Sequence, residues 1–320
     1  MKIISIGEIL WDVYEKRTKN GGTPEHLGGA PFNFAANAAR LGHDVIFLSA
    51  VGNDDRGRRA LGEAARLGIP AARIQTTSRW PTGIVSVDLD ERENPRYRIH
   101  RPAAYDAFTL DDAAVDRLAA SNPDWIYFGT LYQAHSSARR QTERIIAAAP
   151  SARCFYDVNL RPNSYTPALV RDLLKLADVV KLNEDECGVV GRMLDRPHES
   201  IEEFCRYWAV QCEWEAVCIT RGANGCAIFL KGSYVEVPGY EVEVKDAVGA
   251  GDAFAAAFLH GLGAGWPAER IGDFANRVGA YVAGCPGALP PWTLADVEKL
   301  TRQYRARIES HLKKNRITAQ

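Results

Sequence analysis

Asp246-Ala247-Val248-Gly249-Ala250-Gly251-Asp252 runs directly into Ala253-Phe254-Ala255-Ala256-Ala257-Phe258-Leu259-His260-Gly261. The second stretch is rich in small, helix-favouring residues, so a helix is predicted to start at the glycines. Glycine adopts backbone angles closed to other residues, which lets successive main-chain N–H groups converge at a helix start. The helix dipole favours negative charge at that point, so the stretch reads as an anion hole suited to phosphate. Asp252 lies on the first turn beside it. A carboxylate there can accept the proton of an attacking hydroxyl, or it can simply cap the helix. The motif alone leaves both readings open.

Outward from this point the chain alternates short apolar runs with amphipathic helical stretches. Strands are predicted at Lys2–Gly7, Asp44–Ala50, Trp125–Phe128, Cys154–Val158, Val179–Lys181 and Ala216–Thr220. Helices are predicted at Asn33–Leu41, Arg56–Leu67, Ser136–Ala149 and Pro167–Leu176. Alternation of this kind implies an α/β fold, a mostly parallel sheet with helices on both faces. Two segments break the rhythm, Val13–Thr23 and Gly83–Arg101. Their β-like alternation with interleaved charge suits a small exposed sheet standing off the main domain. Leu294–Lys314 reads as a long amphipathic helix with a solvated charged face. No linker divides the 320 residues, so one domain over 1–320 is expected.

Composition excludes several classes. The formal net charge is −1, with no long basic block, so nothing draws the chain to nucleic acid or to an anionic membrane. No apolar run approaches the roughly 20 residues that span a bilayer. The start MKIISIGEILWD reaches Glu8 and Asp12 too early for a signal peptide. Seven cysteines lack metal-ligand spacing and point to reduced thiols and a cytoplasmic protein. A dinucleotide fingerprint after the first strand is missing, since Gly7-Glu8-Ile9-Leu10 does not supply it.

Three further motifs join DAVGAGD: Gly28-Gly29-Ala30-Pro31-Phe32-Asn33-Phe34-Ala35, Asn183-Glu184-Asp185-Glu186 and Thr220-Arg221-Gly222-Ala223-Asn224-Gly225. In order and spacing the set resembles the ribokinase-like sugar kinases of the phosphofructokinase-B type. GEILWD, GGAPFNFAANAARLG and YDVNLRP are most similar to the fructokinase branch. The resemblance implies a Rossmann-like αβα sandwich with a small β-sheet lid near residues 13–23 and 83–101. It also implies ATP-dependent phosphorylation of a sugar hydroxyl, with 2-keto-3-deoxygluconate kinase, ribokinase or a silent sugar- or nucleotide-binding regulator as alternatives.

Roles follow residue by residue from that resemblance. Asp252 matches the general base, and Gly249, Ala250 and Gly251 the anion hole. Asp12, Gly28, Gly29 and Asn33 match sugar-binding positions. Tyr97 and Arg101 are lid residues placed to close over substrate, and Arg161 is a phosphate or sugar contact. Asn183 and Glu186 match a motif that organises Mg2+ and its waters, consistent with that ion's habit of keeping several waters. Thr220, Gly222, Gly225 and Asn276 match the ATP side. Asp246, Val248 and the Ala283–Ala288 region, including Gly287, resemble a K+ site of some members. A homodimer through the lid is expected, because an exposed small sheet has edges to cover. Ala247 departs from the family pattern, which has threonine there.

Overall fold

The structure, a computed structural model, describes residues 1–14, 24–89 and 95–300. Its strands are β1 Lys2–Ile6, β2 Leu10–Tyr14, β3 Glu25–Gly28, β4 Asp44–Gly52, β5 Ile74–Thr77, β6 Gly83–Leu89, β7 Pro95–Ile99, β8 Trp125–Gly129, β9 Arg153–Asp157, β10 Val179–Asn183, β11 Ala216–Thr220, β12 Cys226–Leu230 and β13 Ser233–Val237. Nine of them form one sheet in the order β13-β12-β11-β10-β9-β8-β1-β4-β5, and four form a second in the order β3-β2-β6-β7. From β5 to β11 every pairing in the large sheet is parallel. β12 and β13 extend it as an antiparallel edge.

The large sheet is covered on both faces, which is why its strands read as continuous apolar runs. Side chains alternate across it: Ile3 joins one core cluster, and Ile4 and Ile6 the other. The first cluster takes in Phe34 from helix Ala30–Arg40, Phe254 and Phe258 from helix Ala250–Gly263, and Val278 from helix Ala268–Ala283. The second takes in Leu173, Val190 and Phe204 from the helices on the opposite face. The expected αβα sandwich is therefore present, with each predicted strand and helix displaced by at most three residues at an end.

The small sheet differs from expectation in its extent. β6 and β7 lie inside the expected Gly83–Arg101 segment. β2 begins earlier, at Leu10, so Asp12 is a lid-strand residue, paired with His26 and Val85 rather than following a buried strand. β3 was not anticipated. Residues 15–23 of the expected segment lie outside the described residues, as does 301–320 of the expected C-terminal helix; 294–300 is helical. Among the described residues no helix is long and apolar enough to cross a membrane.

The lid is tied down on one side. The Glu25 carboxylate on β3 accepts hydrogen bonds from Arg56, at 3.1 Å from Nε, and from Arg59. Trp11 Nε1 on β2 donates to the Arg56 carbonyl at 3.1 Å, and the Arg59 guanidinium lies 4.4 Å from the Trp11 ring centroid. Both arginines belong to helix Asp55–Arg66 of the main body.

Candidate active site

Helix Ala250–Gly263 starts at the carboxyl edge of the parallel strands, and Gly249 caps it in the left-handed conformation with φ 80°. A Cβ at Gly249 would stand 2.2 Å from the Ala288 carbonyl oxygen, so both space and backbone angle require glycine. No side chain caps this helix. Ala250 N–H reaches back to the Ala247 carbonyl at 3.3 Å, and no side chain occupies the remaining first-turn N–H groups, which leaves them for an outside acceptor. Asp252 sits on that turn, and Asn33 Nδ2 donates to its Oδ2 at 2.8 Å. Burial, reinforced by the neighbouring Asp157 charge, pushes the Asp252 carboxyl up to about 6.

Asp12, Gly28 and Asn33 gather next to it. A Cβ at Gly28 would lie 3.3 Å from Asp12 Oδ2 and 4.0 Å from Asn33 Nδ2. Gly29, at φ 109°, packs so closely on the Glu8 carbonyl that a Cβ would stand 2.4 Å from it. That contact orients Asn33 one turn into the following helix. Burial raises the Asp12 carboxyl to about 6, opposed by the Arg161 charge. Arg161 is exposed and makes no ion pair among the described residues, yet its charge bears on Asp12, Asp252 and Glu8. Tyr97 on β7 is 53 % exposed, with its ring in the field of Asp12 and Arg161.

Arg101 is placed differently from expectation. Its guanidinium is bound to the fully buried Asp106 carboxylate and donates to the Leu131 carbonyl at 2.7 Å. It anchors the chain leaving the lid, and most of its donors are already engaged.

On the other side of Asp252 stand Asn183 and Glu186. They form a reciprocal capping box: Asn183 Oδ1 accepts from Glu186 N and Glu186 Oε2 from Asn183 N, each at 2.8 Å. Glu186 Oε1 accepts from Leu160 N at 2.7 Å. The carboxyl is buried, and desolvation raises it. Neither a solvated charge nor a ready direct metal ligand fits this geometry. No group of three or more His, Cys, Asp or Glu residues able to hold a metal lies among the described residues. The donors present suit Mg2+ carried on substrate phosphates and waters, with Glu186 and Asn183 reached through water.

Thr220 ends β11 opposite Asn183, and the Thr220–Gly225 connection is a hairpin turn between β11 and β12. Gly222 and Gly225 both have positive φ, 54° and 87°. Asn276 is buried, and its Nδ2 donates to the Val237 and Pro238 carbonyls at 3.3 and 3.1 Å. It braces the end of β13. Asp246 bridges two loops, accepting from Val248 N at 3.0 Å and from Gly287 N at 3.2 Å. The Ala283 carbonyl already accepts from Lys245 N and Asp246 N, at 2.9 and 3.2 Å, so it is the poorest of the four as a cation ligand.

Three residues near the site escaped the sequence reading. Asp157 ends β9, and Lys181 lies within β10; both are buried, with Lys181 Nζ 3.0 Å from each Asp157 oxygen. Tyr127 OH also donates to Asp157, at 3.0 Å. A Cβ on Gly251 would stand 3.8 Å from Lys181 Nζ, which places this cation directly under the glycine loop. A signal existed: Lys181 is the one charged residue in the strand VVKLN. Glu8 was the third omission, 4 % exposed and raised by desolvation to about 7.

Residues 1–294 match the pfkB family carbohydrate kinase profile, and the chain belongs to that family. A putative sugar kinase of Pyrococcus horikoshii is 31 % identical over 95 % of this chain and 96 % of its own length. A fructokinase of Escherichia coli is 29 % identical over 82 % of this chain and 87 % of its own. The crystal structure of an uncharacterized sugar kinase of Pyrococcus horikoshii in complex with ATP superposes with a TM-score of 0.75. It is 28 % identical, covering 89 % of this chain and 93 % of that one.

Proposed function

We propose that this pfkB-family sugar kinase transfers the γ-phosphoryl group of ATP to a hydroxyl of a small sugar, with fructose the leading substrate and Asp252 the general base. One observation carries the reading: Asp252 stands on the first turn of an uncapped helix, hydrogen-bonded to Asn33 and adjacent to Asp12. The ATP-bound relative supports the nucleotide, and the Escherichia coli fructokinase supports the sugar.

In this mechanism Asp12 and Asn33 orient the sugar by hydrogen bonds to its hydroxyls. The acceptor oxygen attacks the γ-phosphorus, its proton passes to Asp252, and the bond to the ADP oxygen breaks. Charge on the transferring group meets the main-chain N–H groups of Gly249, Ala250 and Gly251 at the helix N-terminus. Mg2+, when bound with ATP, offsets phosphate charge, and Asn183 and Glu186 would hold its waters. Thr220, Gly222 and Gly225 border the nucleotide. K+ would sit at the Asp246–Val248–Gly287 junction, with the Ala283 carbonyl bracing it.

The test is ADP release over fructose, ribose and 2-keto-3-deoxygluconate. Fructose should turn over best, and Asp252→Ala should cost on the order of 10²–10⁴ in rate. A variant keeping more than about a tenth of wild-type turnover would remove Asp252 from the base role. A specific feature favours a second reading, a sugar acid: Arg161 makes no ion pair among the described residues and its charge bears on Asp12, so it is suited to a carboxylate. A tenfold preference for 2-keto-3-deoxygluconate would establish that reading instead. ADP release with none of the sugars would point to a silent binder.

A further inference from the structure

Lys181 is a buried ammonium on a strand where every other buried neighbour is apolar. Burying an ammonium is costly unless it is paired and hydrogen-bonded, so its retention calls for an explanation. Its nearest partner, Asp157, satisfies it with two 3.0 Å contacts. A pair serving stability alone would be equally placed anywhere in the core. This one sets Asp157, the last residue of β9, against Lys181 in the middle of β10, beneath Gly251 and within electrostatic reach of Asp252.

We propose that Lys181 and Asp157 form a positioning pair that sets the proton affinity and placement of Asp252 without touching the sugar. Their effects on Asp252 are opposite. The Asp157 charge favours its protonated form, and the Lys181 charge favours the carboxylate. Asp157 is itself fixed by Tyr127 OH, and Tyr127 is held face to face with Phe34, ring centroids 3.6 Å apart. Phe34 adjoins Asn33, whose amide holds Asp252. The pair, its tyrosine brace and the amide thus belong to one packed unit behind the carboxylate.

Other charges face Asp252 too. Arg161, after β9, favours its ionised form, while Glu8 in the turn between β1 and β2, Asp12 on β2 and Tyr127 on β8 carry charges or dipoles that respond to it. Lys181 additionally faces Glu186. Asp157 and Lys181 are bonded to each other behind the base and act on Asp252 in opposite directions, so removing both should offset in part, with the Asp157 effect the larger.

The proposal rests on the base role given to Asp252, and its test keeps the two separable. The readouts are the acid limb of the kcat/KM profile and, independently of turnover, the Asp252 carboxyl titration by ¹³C NMR of Asp-labelled protein, assigned with Asp252→Asn. Asp157→Asn, which keeps the shape and the Tyr127 partner, should lower the Asp252 titration by about half a pH unit or more. Lys181→Met should raise it comparably. The double variant should fall between the two single variants and should fold even if Lys181→Met, with its unpaired buried carboxylate, does not. A titration unmoved in Asp157→Asn, with stability alone altered, would overturn the proposal. Turnover surviving Asp252→Ala would overturn the base role while leaving the NMR test of the pair intact.

Discussion

Asp252 has a titration raised from an ordinary 3.8 to about 6, and this has two consequences. A base must be ionised to accept a proton, so kcat/KM should fall below about pH 6, as pH-rate measurements at saturating Mg2+ would show. The second concerns stability. A raised folded-state value means the folded form prefers the proton. Its contribution is full below the unfolded value and is lost as pH rises through about 6. Asp252→Asn should remove that loss, stabilising the protein at pH 7.5 by on the order of 1–3 kcal/mol while abolishing turnover. Below pH 4 the gain should vanish, since both side chains are then neutral. Thermal unfolding at the two pH values checks the sign; a variant less stable at pH 7.5 would mean the carboxylate is favourably held. Asp252 was legible in the sequence because a glycine run and a helix fall together there. Lys181 and Asp157 were not, since each looks like an ordinary strand residue until β9 and β10 pair.

At the scale of elements, the loop Asp246–Gly249 is a hinge between two packed backbones. Gly249 meets Ala288, and Asp246 meets Gly287, so the glycine loop is shaped by the turn after helix Ala268–Ala283. Gly249→Ala should destabilise the fold by about 1–3 kcal/mol and cut turnover more than nucleotide binding, because the strain lands on the anion hole. Unfolding by urea and a nucleotide titration would check both halves; unchanged turnover would separate the loop from the chemistry. The Glu25 clamp belongs to the same scale. Glu25→Ala removes both arginine contacts from β3, and hydrogen exchange in 10–14 and 25–28 should then quicken while the main sheet stays protected.

For the whole molecule, the arrangement of two sheets predicts motion. β2 leaves the main body through Gly7–Ile9 and carries Asp12, while β6 and β7 have few partners beyond their own sheet. We expect sugar alone to slow exchange across 83–89 and 95–99, because the proposed sugar contacts Asp12, Gly28 and Tyr97 are on lid strands and none of the proposed nucleotide contacts is. Closure would exclude water from the anion hole and limit ATP hydrolysis. Equal exchange with and without saturating sugar would show that this sheet is not gated by substrate and would remove Tyr97 from the sugar site.

The sequence by itself determined the layer architecture and the glycine–aspartate motif, and the resemblance of its motifs pointed to the carbohydrate-kinase family. These depend on local periodicity and on residues adjacent in the chain, which a linear reading can see. Asp12 was picked out from the sequence, but its place on a lid strand was decided by pairing with β3 and β6. Arg101 read as a substrate contact, and a partner five residues on, Asp106, engaged it instead. Glu186 read as an organiser of Mg2+ through its waters, and only the fold, through the Leu160 amide 26 residues away, made its carboxylate a buried cap. The Lys181–Asp157 pair arises only when β9 pairs in parallel with β10 and sets its last residue beside Lys181. Charges act through space over a few ångströms, and chain order does not encode which of them end up that close.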